Sequence, residues 1–261
     1  MLVVAVVLGV VEGITEFLPI SSTGHLILVG TLLKFEGKRA ETFEVFIQLG
    51  AILAVAWEFR ATLFRISKGM VRGDGSREFG AKIAMAFVPV AAVGFLLRDF
   101  ISEHFFNPVS VAVALIVGAV LIFVVERFHP LPRTHSAEEV SWGQALAIGS
   151  AQCLSLWSGF SRSAATILGG LSVGLDRRAA VEFSFFLALP TMFVATTYDL
   201  AKNRAHLESG DFLWLGIAFG LSFLVAWGSI RWLLRYVSSH SFRIFAWYRL
   251  ILGAAVLLLA R

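Results

Sequence analysis

The sequence is poor in charged residues and almost without cysteine, and both scarcities restrict the kind of protein it can be. Only 15% of its 261 residues are charged, whereas a soluble globular domain carries roughly a quarter. Cys153 is the only cysteine, so no disulfide bond can form within the chain. The first apolar run has no basic segment before it and is interrupted by Glu12. It is therefore not expected to be a cleavable signal peptide.

Apolar residues make up 57% of the chain and give it a mean hydropathy of +0.80. This composition predicts an all-α protein that crosses a membrane several times. The net charge of +4 suits contact with the headgroups of anionic membrane lipids, and we expect no nucleic-acid partner. The apolar stretches that predict membrane-spanning helices lie at about 43–59, 81–98, 108–125, 182–199, 212–231 and 244–260.

Two further apolar segments, 1–30 and 142–171, are broken midway by polar residues. Each is interpreted as a re-entrant hairpin of two short helices, with a kinked full span as the alternative. The segments match at an offset of 140 residues, which aligns Glu12 with Gln152. A hairpin followed by three spans crosses the membrane an odd number of times, so the second copy must be inverted. The sequence thus predicts a single membrane domain of two inverted repeats, at about 1–126 and 141–261.

The basic residues between the predicted spans indicate the orientation of the chain. The regions on one side of the membrane carry 13 Lys and Arg residues, and those on the other side carry seven. Because Lys and Arg concentrate in cytoplasmic loops, both termini are predicted to lie outside the cytoplasm. The more basic regions are 60–82, 126–142, 171–181 and 231–243, and the others are 30–42, 98–107, 199–211 and Arg261.

Residues 12–25 read E-G-I-T-E-F-L-P-I-S-S-T-G-H and combine charge, hydroxyl groups and a helix break. Glu12 and Glu16 are four residues apart, so a helix places both carboxylates on one face. Their repulsion at membrane depth indicates a proton or a metal ion between them. Pro19 is expected to end this helix at about Leu18.

Hydroxyl residues follow Pro19 and are expected to cap a second helix, which would carry His25 in its first turn. The N-terminus of a helix binds anions, so carboxylates for a cation lie beside N–H groups for an anion. This combination indicates a metal–phosphate site, with a purely structural kink as the alternative. Ser22 lies one helical turn before His25, and the two could act as nucleophile and base. Activation of water by His25, or attack by His25 itself, are alternatives.

The second broken segment, 151–166, reads A-Q-C-L-S-L-W-S-G-F-S-R-S-A-A-T. Gly159 allows a tight turn, and Ser161 can cap the helix that follows. The planar guanidinium of Arg162 suits phosphate. Because a buried arginine without a partner is costly, Arg162 needs either a ligand phosphate or a glutamate of the first hairpin. Arg249 lies in an otherwise apolar span and is interpreted as a packing or snorkelling residue.

Four stretches resemble the bacterial undecaprenyl-diphosphate phosphatase family of the bacitracin-resistance type: E-G-I-T-E-F-L-P-I-S-S-T-G-H-L, F-I-Q-L-G-A-I-L-A-V, W-S-G-F-S-R-S-A-A-T-I and E-F-S-F-F-L-A-L-P. The resemblance covers essentially the whole chain. Two positions depart from the family pattern P-G-x-S-R-S-G, since Ser158 replaces proline and Ala164 replaces glycine. Neither change removes a hydrogen-bond donor or a charge from the side chains expected to act.

The resemblance implies removal of the terminal phosphate of undecaprenyl diphosphate, a C55 isoprenyl lipid, at the outer face of the bacterial cytoplasmic membrane. The product is the monophosphate lipid carrier of peptidoglycan synthesis. The resemblance also implies a divalent cation, Mg²⁺ or Ca²⁺, for which carboxylate oxygens are suitable ligands. Taken with the residues themselves, it predicts catalytic roles for Ser22, His25, Glu16 and Arg162, phosphate binding by Ser21, Thr23, Ser161, Ser163 and Thr166, and metal binding by Glu12 and Glu16.

A secondary transporter or translocase of a polyprenyl phosphate lipid is the alternative, because paired broken helices in inverted repeats are also typical of transporters. A carrier needs only binding groups, whereas this sequence also offers a nucleophile, a base and metal ligands, which favours an enzyme. The sequence is compatible with a homodimer.

Overall fold

The structure is a computed structural model that describes residues 1–72, 75–105, 107–203 and 211–259. Within these residues the chain forms α-helices and two 3₁₀ turns but no β-strand. The α-helices are α1 (Leu2–Thr15), α2 (Ser22–Leu33), α3 (Lys38–Glu58), α4 (Arg60–Arg72), α5 (Gly75–Leu96), α6 (Arg98–Phe105), α7 (Pro108–Phe128), α8 (Trp142–Gln152), α9 (Arg162–Ser172), α10 (Arg177–Asn203), α11 (Phe212–Tyr236) and α12 (Arg243–Leu259). The 3₁₀ turns are Ala137–Glu139 and Cys153–Leu156.

Five of these helices, α3, α5, α7, α10 and α11, are long and apolar enough to cross a membrane. They confirm five of the six predicted spans, although α10 begins at Arg177 rather than near residue 182. The sixth prediction corresponds to α12, which has 17 residues in the described chain. The protein is therefore an all-helical, multi-pass membrane protein.

Two regions between the predicted spans are helical. The basic region 60–82 contains α4 and the first part of α5, and 98–107 contains α6. An amphipathic helix such as α4 can lie along a membrane surface. Its apolar residues are spaced around the helix, so the sequence contains no long apolar run at this position. Residues 204–210 of the region 199–211, and Arg261, lie outside the described residues.

Both broken segments form two helices separated by a break, as predicted. The helices of each pair, α1 with α2 and α8 with α9, pack against each other. The predicted end of α1 at Leu18 is wrong, because α1 ends at Thr15 and the chain then turns through Pro19. Glu16 keeps helical backbone angles, and its N–H bonds to the carbonyl of Glu12 at 3.0 Å. The two carboxylates therefore still share one face.

Several helix starts follow directly from the local sequence. The Asn107 side chain accepts a hydrogen bond from the Ser110 N–H at 2.8 Å, with Pro108 in the first turn of α7. Ser141 and Gln144 form a reciprocal capping box at the start of α8. These caps fix where the two helices begin without any long-range contact.

Each hairpin packs against a span from the other half of the chain. α1 lies along α11, and α8 lies along α5. Glycine permits both contacts, because a Cβ on Gly9 would lie 2.5 Å from the Ala218 carbonyl oxygen and one on Gly149 would lie even closer to that of Ala86. The spans α3 and α10 also pack together, as do α7 and α12. This arrangement brings the breaks of the two hairpins to one place.

Candidate active site

The breaks of the two hairpins are joined by direct hydrogen bonds. Ser163, at the start of α9, donates from its hydroxyl to the carbonyl of Leu18 in the first break at 2.8 Å. The guanidinium of Arg249 reaches the carbonyl of Pro19 at 3.2 Å and that of Gly159 at 3.4 Å. Its remaining bonds go to the carbonyls of Ala114 and Leu115, each at 3.1 Å. Arg249 thus fixes both breaks to the middle of α7.

The snorkelling interpretation of Arg249 is wrong, because its side chain is completely buried. The packing interpretation agrees with the structure, and Gly118 makes room for the guanidinium. A buried charge is costly unless its donors are satisfied, and main-chain carbonyls satisfy those of Arg249. Main-chain carbonyls of the two breaks and of α7 therefore accept the hydrogen bonds of the buried guanidinium.

Ser21 and Ser161 hold equivalent positions and have the same unusual backbone. Their φ angles are 69° and 77°, in the left-handed region that non-glycine residues rarely adopt. Each caps the helix that follows, as predicted: the Ser21 hydroxyl accepts from Gly24 N at 3.4 Å, and that of Ser161 from Ala164 N at 3.3 Å. Such strain costs on the order of 1–3 kcal/mol and is concentrated at functional sites.

Glu16 is the centre of a polar group drawn from both hairpins. Its Oε2 accepts a hydrogen bond from the Ser22 hydroxyl at 2.6 Å. Its Oε1 lies 3.7 Å from Nη2 of Arg162, an ion-pair distance that is too long for a hydrogen bond. The side chain of Gln48 in α3 lies next to Glu16. A hydroxyl, a carboxylate and a guanidinium are thereby placed together, as the sequence predicted for Ser22, Glu16 and Arg162.

Arg162 has donors to spare. Its Nη1 donates to the carbonyl of Ser184 at 3.2 Å, but Nε and Nη2 are buried without a hydrogen-bond partner among the described residues. The predicted glutamate partner is present in Glu16, and it does not use all the donors. The free donors suit the oxygens of a phosphate.

Glu12 has the opposite property. It is completely buried, and neither of its carboxylate oxygens has a hydrogen-bond partner among the described residues. Burial of an ionised carboxylate without a partner is very costly, so this position fits a cation or a proton. The matching residue of the second hairpin, Gln152, instead donates to the Thr191 hydroxyl at 3.1 Å. The described residues contain no cluster of three or more His, Cys, Asp or Glu side chains that could by itself hold a metal ion.

His25 does not hydrogen-bond to Ser22, contrary to the suggested nucleophile–base pair. Its Nδ1 lies 2.7 Å from the Ser21 carbonyl, and its Nε2 lies 2.6 Å from the hydroxyl of Tyr248 in α12. The Ser22 hydroxyl is engaged with Glu16. The base that the geometry offers to Ser22 is therefore Glu16.

The hydroxyls predicted to bind phosphate differ in burial and in their hydrogen-bond partners. Thr166 and Ser163 are completely buried, and Thr166 pairs with the Ser184 hydroxyl at 2.6 Å, so their hydroxyls already have protein partners. Ser161 contacts the hydroxyl of Ser163 at 3.0 Å. Thr23 is exposed. The second hairpin thus uses its hydroxyls mainly to hold the start of α9 and Arg162 in place.

Three residues of the site were not singled out from the sequence: Gln48, Ser184 and Tyr248. A signal existed for Ser184, since it is polar in mid-span and the 140-residue offset aligns it with Glu44, another polar position. Gln48 is likewise polar within an apolar span. Tyr248 has no such signal, because its contact with His25 joins positions 223 residues apart.

Fold and site together define a multi-pass helical membrane protein with a carboxylate–hydroxyl–guanidinium centre where two broken helices meet. The family model described as "Bacitracin resistance protein BacA" matches residues 5–255, and the chain belongs to this family. The resemblance that the motifs indicated is thereby confirmed.

Curated relatives cover nearly the whole chain, and each of those compared is named undecaprenyl-diphosphatase. The protein of Methylococcus capsulatus is 50% identical over 253 residues, which are 97% of this chain and 93% of the relative. That of Acinetobacter baumannii is 48% identical, with 98% and 94% covered. That of Cupriavidus necator is 46% identical, also with 98% and 94% covered.

Proposed function

We propose that this protein hydrolyses undecaprenyl diphosphate to undecaprenyl phosphate and inorganic phosphate. It thereby recycles the lipid carrier for cell-wall synthesis and confers bacitracin resistance. Membership of the family and the names of its relatives support the substrate. The observation that carries the chemistry is the Ser22 hydroxyl bonded to the buried Glu16 carboxylate, with the guanidinium of Arg162 beside it.

Ser22 acts as the nucleophile in this proposal, and Glu16 accepts its proton across the 2.6 Å hydrogen bond. The serine oxygen attacks the terminal phosphorus, and the bond from that phosphorus to the bridging oxygen breaks. The lipid monophosphate leaves with that oxygen. Water then attacks the phosphoserine, which releases inorganic phosphate and restores the hydroxyl of Ser22.

Phosphate oxygens are held by Arg162 and by the N-termini of α2 and α9. Arg162 can donate from Nε and Nη2 without giving up an existing hydrogen bond. Free N–H groups at the two helix starts add donors and a favourable dipole. Donors placed in advance around a transferring phosphoryl group account for much of the catalysis in such reactions.

A divalent cation, Mg²⁺ or Ca²⁺, is proposed to bind at Glu12 and Glu16. The fit rests on Glu12, whose two buried oxygens lack partners among the described residues. Mg²⁺ commonly takes one or two carboxylates from the protein and its other ligands from water and substrate phosphates. Such a cation neutralises charge on the phosphate oxygens when it is bound.

The inverted-repeat architecture is part of the proposal, with repeats at about 1–126 and 141–261. It is supported by the exchange of packing partners, α1 with α11 and α8 with α5. The shared strained caps at Ser21 and Ser161 also support it. The proposal also places the protein in the bacterial cytoplasmic membrane with its site opening to the extracytoplasmic side, as the family resemblance implies, and the charge bias of the sequence supports an orientation with both termini outside.

A secondary transporter or translocase is not favoured. The curated relatives are named for hydrolysis, and a carrier has no need of a hydroxyl bonded to a buried carboxylate.

The proposal is tested by phosphate release from purified protein with undecaprenyl diphosphate and farnesyl diphosphate. We expect turnover of the C55 substrate and loss of turnover by orders of magnitude in Ser22→Ala. Ser67→Ala, in an exposed part of α4, is the matched control and should remain active. Absence of phosphate release from the wild-type protein with added Mg²⁺ or Ca²⁺ would refute the function. Full activity of Ser22→Ala would refute only the assignment of Ser22 as the nucleophile.

A further inference from the structure

An apolar groove begins beside the site. A cavity of about 410 Å³ lies between the first hairpin and the helices α11 and α12, and a second of about 420 Å³ continues along α11 to Gly228. The two cavities share Ile14, Leu18 and Trp232 in their walls. We refer to both together as the tail groove. Its walls are those expected for a long hydrocarbon chain.

The polar end of the tail groove is formed by His25 and Tyr248. Three other hydroxyl side chains line the groove, but each donates to a main-chain carbonyl: Thr15 to Val11 at 2.7 Å, Tyr236 to Ser241 at 3.3 Å and Ser229 to Val225 at 2.9 Å. The Tyr248 hydroxyl instead faces Nε2 of His25 at 2.6 Å, and the two rings are nearly parallel. The groove therefore ends on a phenol–imidazole pair.

The hydrogen bonds fix the proton on the imidazole. A carbonyl oxygen only accepts, so Nδ1 of His25 donates to Ser21, and in the neutral ring Nε2 accepts from Tyr248. If the Tyr248 hydroxyl turns to a phosphate oxygen, Nε2 is free to bind a proton and donate to the same phosphate. The pair can thus present two donors to an anion at the end of the groove.

The groups of the site fall into two sets, one that lines the groove and one that does not. His25 and Tyr248 line the groove, whereas Ser22, Glu16 and Arg162 are not among its lining residues in the described chain. Ser22 lies one turn before His25 on α2, an axial step of about 4.5 Å. The substrate likewise has an isoprenyl tail, a phosphate bonded to that tail, and a terminal phosphate one bond further from it.

Resting on the proposed function, we propose that the tail groove binds the isoprenyl chain and that His25 and Tyr248 hold the phosphate bonded to that chain. The terminal phosphate then lies at Ser22, Glu16 and Arg162. Tyr248 is a binding and positioning residue for the group that leaves. This order also explains why the reaction stops at the monophosphate, because the single phosphate of the product stays at His25 and Tyr248 and does not reach Ser22.

The test separates the two phosphate positions by equilibrium binding. Calorimetric titrations of the purified protein use farnesyl monophosphate, which has a tail and the inner phosphate, and inorganic phosphate, which has neither tail nor linkage. We expect Tyr248→Phe to weaken farnesyl monophosphate about tenfold, the worth of one hydrogen bond to a charged group, and to leave inorganic phosphate within about twofold. Arg162→Lys should show the reverse pattern. Tyr198→Phe, the same change at an exposed tyrosine of α10, is the control.

Tyr248 is 43% exposed, so loss of its hydroxyl should not unfold the protein, and the melting temperature checks this. If Tyr248→Phe does not fold, His25→Gln serves in its place with the same expected pattern. Equal weakening of both ligands, or of neither, would overturn the assignment of Tyr248. Phosphate release by the wild-type protein is measured separately, so failure of the enzymatic function is recognised independently of this result.

Discussion

Arg162 is the charged side chain of the second hairpin that lies beside Glu16 of the first. It has an acceptor at Ser184, an ion-pair partner at Glu16 and two buried nitrogens without a hydrogen-bond partner in the described chain. A side chain that served only to pair Glu16 would approach closer than 3.7 Å and would use its donors fully. The spare donors favour a ligand oxygen as the missing partner.

We expect Arg162→Lys to fold with a near-normal melting temperature and to lose most of its turnover, because lysine keeps the charge but lacks the planar fork. Arg162→Ala should lose more, about two to four powers of ten in kcat, if the effect resembles loss of a transition-state donor. Arg178→Lys, on the exposed surface of α10, is the matched control. Measurement of melting temperature and kcat together decides the role: rescue of both by lysine would make Arg162 a structural partner of Glu16.

Glu12 carries the proposed metal site. We expect EDTA to abolish turnover and Mg²⁺ or Ca²⁺ to restore it. Glu12→Gln, which keeps the shape but lowers the charge, should need a far higher metal concentration for half-maximal activity. The same titration with Glu36→Gln, an exposed glutamate, should match the wild type. Full activity of the wild-type protein in EDTA would contradict the metal site, and Glu12 would then be interpreted as a proton carrier.

At the scale of elements, the two helix breaks could be predicted because their signals are local. Pro19, the capping serines and Gly159 mark both breaks, and a 140-residue offset relates them. The contacts that complete the site could not be predicted in this way. His25 meets Tyr248 across 223 positions, and Arg249 meets Pro19 across 230. Helical periodicity says nothing about which distant helices become neighbours.

Basic α4 was missed for a different reason. It lies in a region that was treated as a connection because its apolar residues are spaced around a helix rather than joined in a run. Membrane topology from hydropathy finds only spans, so a helix suited to the membrane surface is counted as part of a loop.

Close packing of each hairpin against the opposite half depends on Gly9 and Gly149. We expect Gly9→Ala and Gly149→Ala each to destabilise the protein by about 1–3 kcal/mol, as overpacking typically does, because the added methyl meets a backbone oxygen. Gly220→Ala on α11 is the control, since its Cβ would point into open space. There the higher helix propensity of alanine should stabilise by up to about 1 kcal/mol. Thermal unfolding in detergent measures all three, and equal shifts at the three positions would contradict the packing argument.

At the scale of the whole molecule, the exchange of partners has a mechanical consequence. α1 and α8 each lie on a span of the other half, and Arg249 bonds to both breaks. Each half by itself therefore lacks the span on which its hairpin packs. The site therefore depends on both halves of the chain for its position as well as for its side chains.

The orientation of the molecule in the membrane is testable with single cysteines in a Cys153→Ser background. Ser67 in α4 and Glu103 in α6 are exposed and lie in regions predicted on opposite sides. Since the region around Ser67 is the more basic, we expect Ser67→Cys to be protected from an impermeant thiol reagent in intact cells and to react after permeabilisation. Glu103→Cys should react in intact cells. Phosphatase activity of both variants confirms that they are folded, and the Cys153→Ser parent gives the background labelling. The reverse pattern would place α6 in the cytoplasm and overturn the orientation predicted from the basic residues.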